Sequence, residues 1–181
     1  HRADAIVRAM QLHARGAASG DRVPTDLNGL LRLAAESAAQ QHPDLPPVDL
    51  DLDDAVGEVE VAPEGVMQAV LNLLDNALWA SREAEGDGSP PRVRLCSARE
   101  GNRVAVRVCD RGPGLTPEAR RRLFEPFFTT RPTGQGIGLG LSLAHGIITD
   151  GHGGRLDVES ELGEGATFVV TLPAPSPAPE A

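Results

Sequence analysis

The stretch FEPFFTTRPTGQGIGLGLSLAHG, residues 124–146, carries three of the chain's four phenylalanines and glycines at 134, 136, 138 and 140. Gly136, Gly138 and Gly140 stand directly before a pattern that predicts a helix from about Gly140 to Thr149. Backbone N–H groups at such a junction, together with the helix dipole, suit a phosphate. A Gly-x-Gly-x-Gly run by itself also describes a plain flexible loop. Phe124, Phe127 and Phe128 sit among turn residues, so they read better as a mobile lid with an exposed aromatic patch than as core.

Sixty residues upstream, Pro63 and Glu64 open a helix whose apolar positions are Val66, Met67, Val70, Leu71, Leu74 and Leu78. Gln68, Asn72 and Asn76 recur every four residues and form one polar stripe on it. An amide within an apolar helix needs partners. Two readings follow: structural asparagines bonded to nearby backbone, or a metal ligand, since an amide oxygen suits Mg²⁺ and does not repel a triphosphate as a carboxylate would. Between helix and glycine stretch lies VCDRGPGL, residues 108–115. Asp110 ends a strand there and can accept a hydrogen bond from an exocyclic amine such as that of adenine. Gly112 and Gly114 let backbone approach a flat base, although Asp-Gly turns are common. Near the C-terminus, GEGATF (163–168) is a hairpin turn that could also bring Thr167 beside the base.

The remaining chain frames these motifs. Ala3, Ile6, Val7 and Met10 have helical spacing, ended by Gly16. A second helix is expected from about Asp26 to Gln41, stopped by Pro43, Pro46 and Pro47. Residues 48–53 and 57–62 alternate as strands, and RVRLCSA with RVAVRVCD form a hairpin around REGN. Thr116 caps a short helix with Pro117 at its first position. GRLDVESE and ATFVVTLP make a last hairpin. This order predicts an α+β fold, helices packed on one face of a mixed, mainly antiparallel sheet. The tail APSPAPEA is low in complexity and expected to be disordered.

Composition narrows the function classes. The net charge is -9 and no basic stripe is present, which argues against a nucleic-acid partner. No apolar run approaches the ~20 residues of a membrane helix, and no leader-like segment opens the chain. Cys96 and Cys109, in apolar strand-like runs, read as reduced core residues of a cytosolic protein rather than a disulfide. The chain opens at His1 inside a helical pattern, so it is expected to be part of something longer.

Taken in order, the Asn-rich helix, Asp-x-Gly-x-Gly, Phe-rich lid, Gly-x-Gly-x-Gly and Gly-x-Gly-x-Thr boxes resemble one family. Over about residues 24–173 the chain is similar to the ATP-binding catalytic domain of bacterial sensor histidine kinases. These belong to the GHKL superfamily with gyrase, heat-shock chaperone and mismatch-repair ATPases. The resemblance implies the Bergerat fold, a two-layer α/β sandwich. It implies ATP and Mg²⁺ as cofactors, with Asn76 as the Mg²⁺ ligand and Asn72 beside the phosphates. Asp110 would read the adenine amine, supported by Gly112, Gly114 and Thr167. Gly136, Ile137, Gly138, Leu139, Gly140 and Leu141 would line the phosphates. Phe124 to Phe128 match the lid box.

The superfamily's ATPases carry a water-activating Glu where this chain has Asn72, which cannot act as a base near neutral pH. A kinase does not need it if the acceptor brings its own base. The alternatives are an ATPase of the same superfamily or a non-catalytic nucleotide-sensing or docking module. Family members often have Lys or Arg at the position of Trp79, and a lid Lys at that of Gln135; Arg131 would then supply the charge to the γ-phosphate. His1, His13, His42, His145 and His152 all lack the family's phosphoacceptor pattern. Residues 1–16, the helix around Ile6 and Met10, resemble the end of the second helix of a dimerisation and phosphoacceptor domain, with 17–23 a linker and 174–181 a tail. The acceptor His is expected upstream, so this chain alone should not autophosphorylate. The implied partners are that acceptor domain and a response-regulator receiver. The location is cytoplasmic or membrane-anchored through other segments, with the chain monomeric and the full-length protein a homodimer.

Overall fold

The computed structural model describes residues 20–45, 47–83, 92–132 and 136–174. The expected first helix, the first three residues of the linker, Gln135 and all of the tail except Ala174 lie outside those residues. In chain order the elements are β1 (Val23–Asp26), α1 (Leu27–Gln41), β2 (Asp49–Leu52), β3 (Glu58–Val61) and α2 (Pro63–Glu83). There follow β4 (Val93–Glu100), β5 (Arg103–Asp110), α3 (Pro117–Arg122), α4 (Gly140–Gly146), β6 (Arg155–Glu161) and β7 (Gly165–Pro173). Among the described residues no helix is long and apolar enough to cross a membrane.

Five strands form one sheet in the order β2-β4-β5-β7-β6; β2 runs parallel to β4 and the other pairs are antiparallel. The sheet is mixed and its helices share one face, as the order of elements predicts. Alternation along β5 sorts its side chains by face. Val104, Val106, Val108 and Asp110 are buried beneath the helices with Leu95, Phe168, Val170 and Leu172. Cys96 and Cys109 fall on the opposite face, each paired in register with an arginine (Arg107 and Arg94), and are only partly buried. They are free thiols, but they are not core residues: the apolar runs around them are two-faced strands.

The sequence reading misses one element. Val23–Asp26, for which the sequence predicts no strand, pairs antiparallel with β3 in a separate two-stranded sheet. Its partner lies some 35 residues on, a distance that no local pattern reports. Asp26 still caps α1, its carboxylate accepting from Gly29 N at 3.0 Å.

Two devices tie the helical layer together. Buried Ser97 on β4 donates to Asn28 Oδ1 at 2.8 Å and accepts from Asp53 N at 3.2 Å, while Asn28 Nδ2 donates to the Asp53 carbonyl at 2.9 Å. The N–H groups of Arg99 and Ala55 hold the Asp53 carboxyl below the usual range. The second device lies beyond α4, where the chain widens into a π-helical turn, Ile147–Gly151. Buried His152 follows it; Nε2 accepts from Ala62 N at 3.0 Å and Nδ1 donates to the Ile147 carbonyl at 2.7 Å. One imidazole thus joins the foot of α2 to the end of α4.

Replacing Ser97 by Ala strips Asn28 Oδ1 of its donor in a buried site. It is expected to cost about 1–3 kcal/mol of stability by urea denaturation; a loss below a few tenths would mean that water replaces the hydroxyl.

Candidate active site

Helix α2 is buried along Val66, Ala69, Val70, Leu73, Leu74, Ala77 and Leu78. Its polar stripe, Gln68, Asn72, Asp75 and Asn76, lines one wall of a cavity of about 370 Å³. The facing wall is Phe128–Arg131 and Gly136–Leu141. Asn72 Oδ1 accepts from Gln68 Nε2 at 3.1 Å, yet Asn72 Nδ2 is buried and has no partner. The Asn72 amide is thus not satisfied by neighbouring backbone, the plainer of the two sequence readings. Helix α4 begins against the Asn72 side chain, and its N-cap residue Leu139 provides no side-chain cap. The first-turn N–H groups are therefore left to what enters the cavity.

The lid box divides into three roles. Phe124 packs against the core and stacks on His145 with ring centroids 4.9 Å apart. Phe128 lines the cavity under the Arg122 guanidinium, 4.7 Å from the ring centroid. Phe127 is 52% exposed and sits at φ 67°, a left-handed conformation that a bulky residue adopts only under constraint. The constraint is Gly138, itself at φ 71°, whose carbonyl accepts from Phe127 N at 2.8 Å. A Cβ on Gly138 would lie 2.5 Å from the Phe127 carbonyl carbon. Only glycine lets the two segments meet there.

Asp110 stands beyond the cavity lining, beside the next turn of α2. Gly112 makes this possible: a Cβ there would come within 2.7 Å of Ala80 Cβ. The Asp110 carboxylate is buried; Oδ1 accepts from Gly112 N at 2.8 Å and Ala166 N at 3.2 Å, while Oδ2 has no partner. Burial pushes its carboxyl above the usual range, against the pull of those two N–H groups. Gly114 follows in the turn packed on Glu161 of β6. The buried side-chain atoms without partners among the described residues are Asn72 Nδ2, Trp79 Nε1 and Asp110 Oδ2, all on α2 or beside it.

Two expectations change, and one residue joins the site. Thr167 does not join Asp110. It pairs in register with Cys109 on the opposite face of the sheet, and Ala166 is the residue that meets Asp110, because strand side chains alternate. Arg131 does line the cavity, but its Nη2 donates to Asp75 Oδ2 at 3.0 Å and to the Asp75 carbonyl at 3.3 Å. Its guanidinium lies 4.9 Å from the Trp79 ring centroid. Asp75, absent from the sequence-derived site, lies on the cavity wall, its other oxygen 3.1 Å from His42 Nε2. Its position next to Asn76 was the available signal.

Residues 61–176 match the family described as histidine kinase-, DNA gyrase B-, and HSP90-like ATPase. The chain is 46% identical over 132 residues to the sensor protein KdpD of Rathayibacter rathayi, covering 71% of this chain and 14% of that one. It thus spans a small part of that relative's length. Among solved structures it resembles the catalytic domain of histidine kinase ThkA, with a TM-score of 0.71 and 27% identity over 86% of this chain and 97% of that one. It also resembles full-length ShkA in complex with AMPPNP, with a TM-score of 0.79 and 30% identity over 97% of this chain and 37% of that one.

The raised Asp110 pKa has a definite sign. A carboxylate buried at a cost destabilises the fold above its raised folded pKa, and the cost lifts as pH falls through that value towards about 3.9. The melting temperature of the parent chain relative to an Asp110→Asn variant should therefore rise as pH falls from neutral into the acidic range. A relative melting temperature that falls instead would mean that the carboxylate is stabilised in the folded state.

Proposed function

Because the chain belongs to the family of histidine kinase-, DNA gyrase B- and HSP90-like ATPases, we propose that it binds Mg·ATP between α2 and the 128–141 segment and transfers the γ-phosphoryl group to a histidine on a separate domain. A receiver domain of a response regulator would take the group onward. The observation that carries this reading is the pair of orphaned buried atoms, Asn72 Nδ2 and Asp110 Oδ2. One is a donor on the cavity wall, the other an acceptor one helical turn beyond it. A ligand with phosphate oxygens at one end and an exocyclic amine at the other satisfies both.

The residues fit the groups implied. Asp110 Oδ2 would accept from the base amine, its carboxylate held in orientation by Gly112 and Ala166. Asn72 Nδ2 and the first-turn N–H groups of α4 would donate to phosphate oxygens. Asn76 on the cavity wall offers an amide oxygen to Mg²⁺. Mg²⁺ held there supplies charge neutralisation across the phosphates. These groups position and polarise; none of them takes a proton.

Transfer is favoured over hydrolysis by the cavity itself. Among its described lining residues Asp75 is the one carboxylate, and its two oxygens face Arg131 and His42. Asn72, which meets the start of α4, is an amide and cannot take a proton from water, so an acceptor with its own base is the natural second substrate.

Titration with ATP and Mg²⁺ should show saturable binding, with phosphate release near background until an acceptor-histidine domain is added. Asn76→Ala should weaken Mg²⁺-dependent ATP binding by about tenfold or more, of the order expected when a charge-assisted contact is lost. Rapid phosphate release by the chain alone would point to an ATPase. Binding without transfer to any supplied acceptor would point to a nucleotide-sensing module.

A further inference from the structure

Arg131 connects two things that the proposed reaction leaves unrelated: the carboxylate beside Asn76 and the chain's one tryptophan. Its guanidinium is bonded to Asp75 through Oδ2 and the backbone carbonyl, and lies over the Trp79 ring. The Arg131 side chain is 17% exposed and that of Asp75 47%. Asp75 does not depend on Arg131 for its position, because His42 Nε2 holds its other oxygen at 3.1 Å. Arg131, by contrast, leaves the segment facing α2, with Gly136 packed near its side chain. A cation is thus docked on the cavity wall beside the amides, on a carboxylate anchored from behind.

We propose that Asp75 is a positioning residue: with Trp79 it parks Arg131, and a bound triphosphate draws the guanidinium away, so that Asp75 sets how strongly the site prefers three phosphates to two or one. The inference rests on the reading of this cavity as a nucleotide site. Its physical basis is competition between anions for one cation. Asp75 is half exposed, so solvent weakens its hold on Arg131, and the cation–π contact is weak too, whereas Arg–phosphate contacts are charge-assisted and often bidentate. The parked state can therefore yield to a polyphosphate, but its population reduces the apparent affinity for the ligand that must displace it. A ligand that ends short of Arg131 gains nothing from its release.

Trp79 makes the exchange observable. As the single tryptophan, it should change emission when the guanidinium leaves its face. The experiment measures Mg²⁺-dependent binding of ATP, ADP and AMP to the parent chain, Asp75→Asn, Arg131→Ala and the double variant, following Trp79 emission throughout. Asp75→Asn keeps the shape and an acceptor for His42. It should tighten ATP binding about two- to fivefold, the range of an ion pair screened on its carboxylate side, and leave AMP unchanged. The gain should vanish when Arg131 is absent, and the ATP-dependent emission change should be lost in Arg131→Ala. If Asp75→Asn tightens ATP equally in the Arg131→Ala background, Asp75 merely repels phosphate and the inference fails. It fails also if ATP binds the parent chain but Asp75→Asn leaves the ATP-to-AMP preference unchanged or weakens it. Absence of ATP binding to the parent chain would instead overturn the functional reading beneath it.

Discussion

Helix α2 must satisfy two environments at once, and that constraint organises the molecule. One side of the helix is core, sealed by Leu73, Leu74 and Ala77. The other side carries amides and a carboxylate that dry packing would strand. The fold answers by keeping a cavity open along that side and laying a second helix, α4, against it, with Gly140 beside Asn72 and Ile147, at the other end, beside Gly65. Each further feature of the site is a way of holding something against α2: Gly112 brings in the Asp110 loop, Gly138 folds the phenylalanine segment back, and Asp75 holds Arg131.

That solution costs stability. A buried amide donor, an indole N–H and a carboxylate oxygen go unpaired within one corner of the structure, each worth about 1–3 kcal/mol by the usual reckoning of a lost buried hydrogen bond. Phe127 adds backbone strain in the same region. Elsewhere the polar groups are committed: Val104, Val106 and Val108 lead up to Asp110 on β5, and the one buried hydroxyl of β4, Ser97, closes a network with Asn28 and Asp53. Unmet polar groups concentrated where a ligand would enter are the mark of a site built for its occupant.

Much of this was legible in the residues because the relevant physics is local. The period of the amide stripe, the strand-ending Asp with glycines after it and the glycine run before a helix each need only neighbours in sequence, and the core helices and hairpins follow from periodicity. What escaped was non-local or depended on parity. Strand β1 needs a partner across the whole of α1 and β2. Thr167 and Ala166 differ by one position, and in a strand one position is the other face. Cys96 and Cys109 were misjudged for the same reason. The Asp75–Arg131–Trp79 cluster joins residues up to 56 positions apart, and the guanidinium's preference for Asp75 appears only when both lie on one wall.

His152 has a mechanical meaning. Its ring is bonded at one nitrogen to the residue that precedes α2 and at the other to the turn that ends α4. The extra width of the π-helical turn comes immediately before it. The two helices are therefore pinned together at the end remote from Asp110, and the α4 N-terminus, packed on Asn72, is the arm farthest from the pin. A lever held this way swings little at the pivot and most at the tip. Displacement at the α4 tip would then leave the pinned feet of the core helices in place.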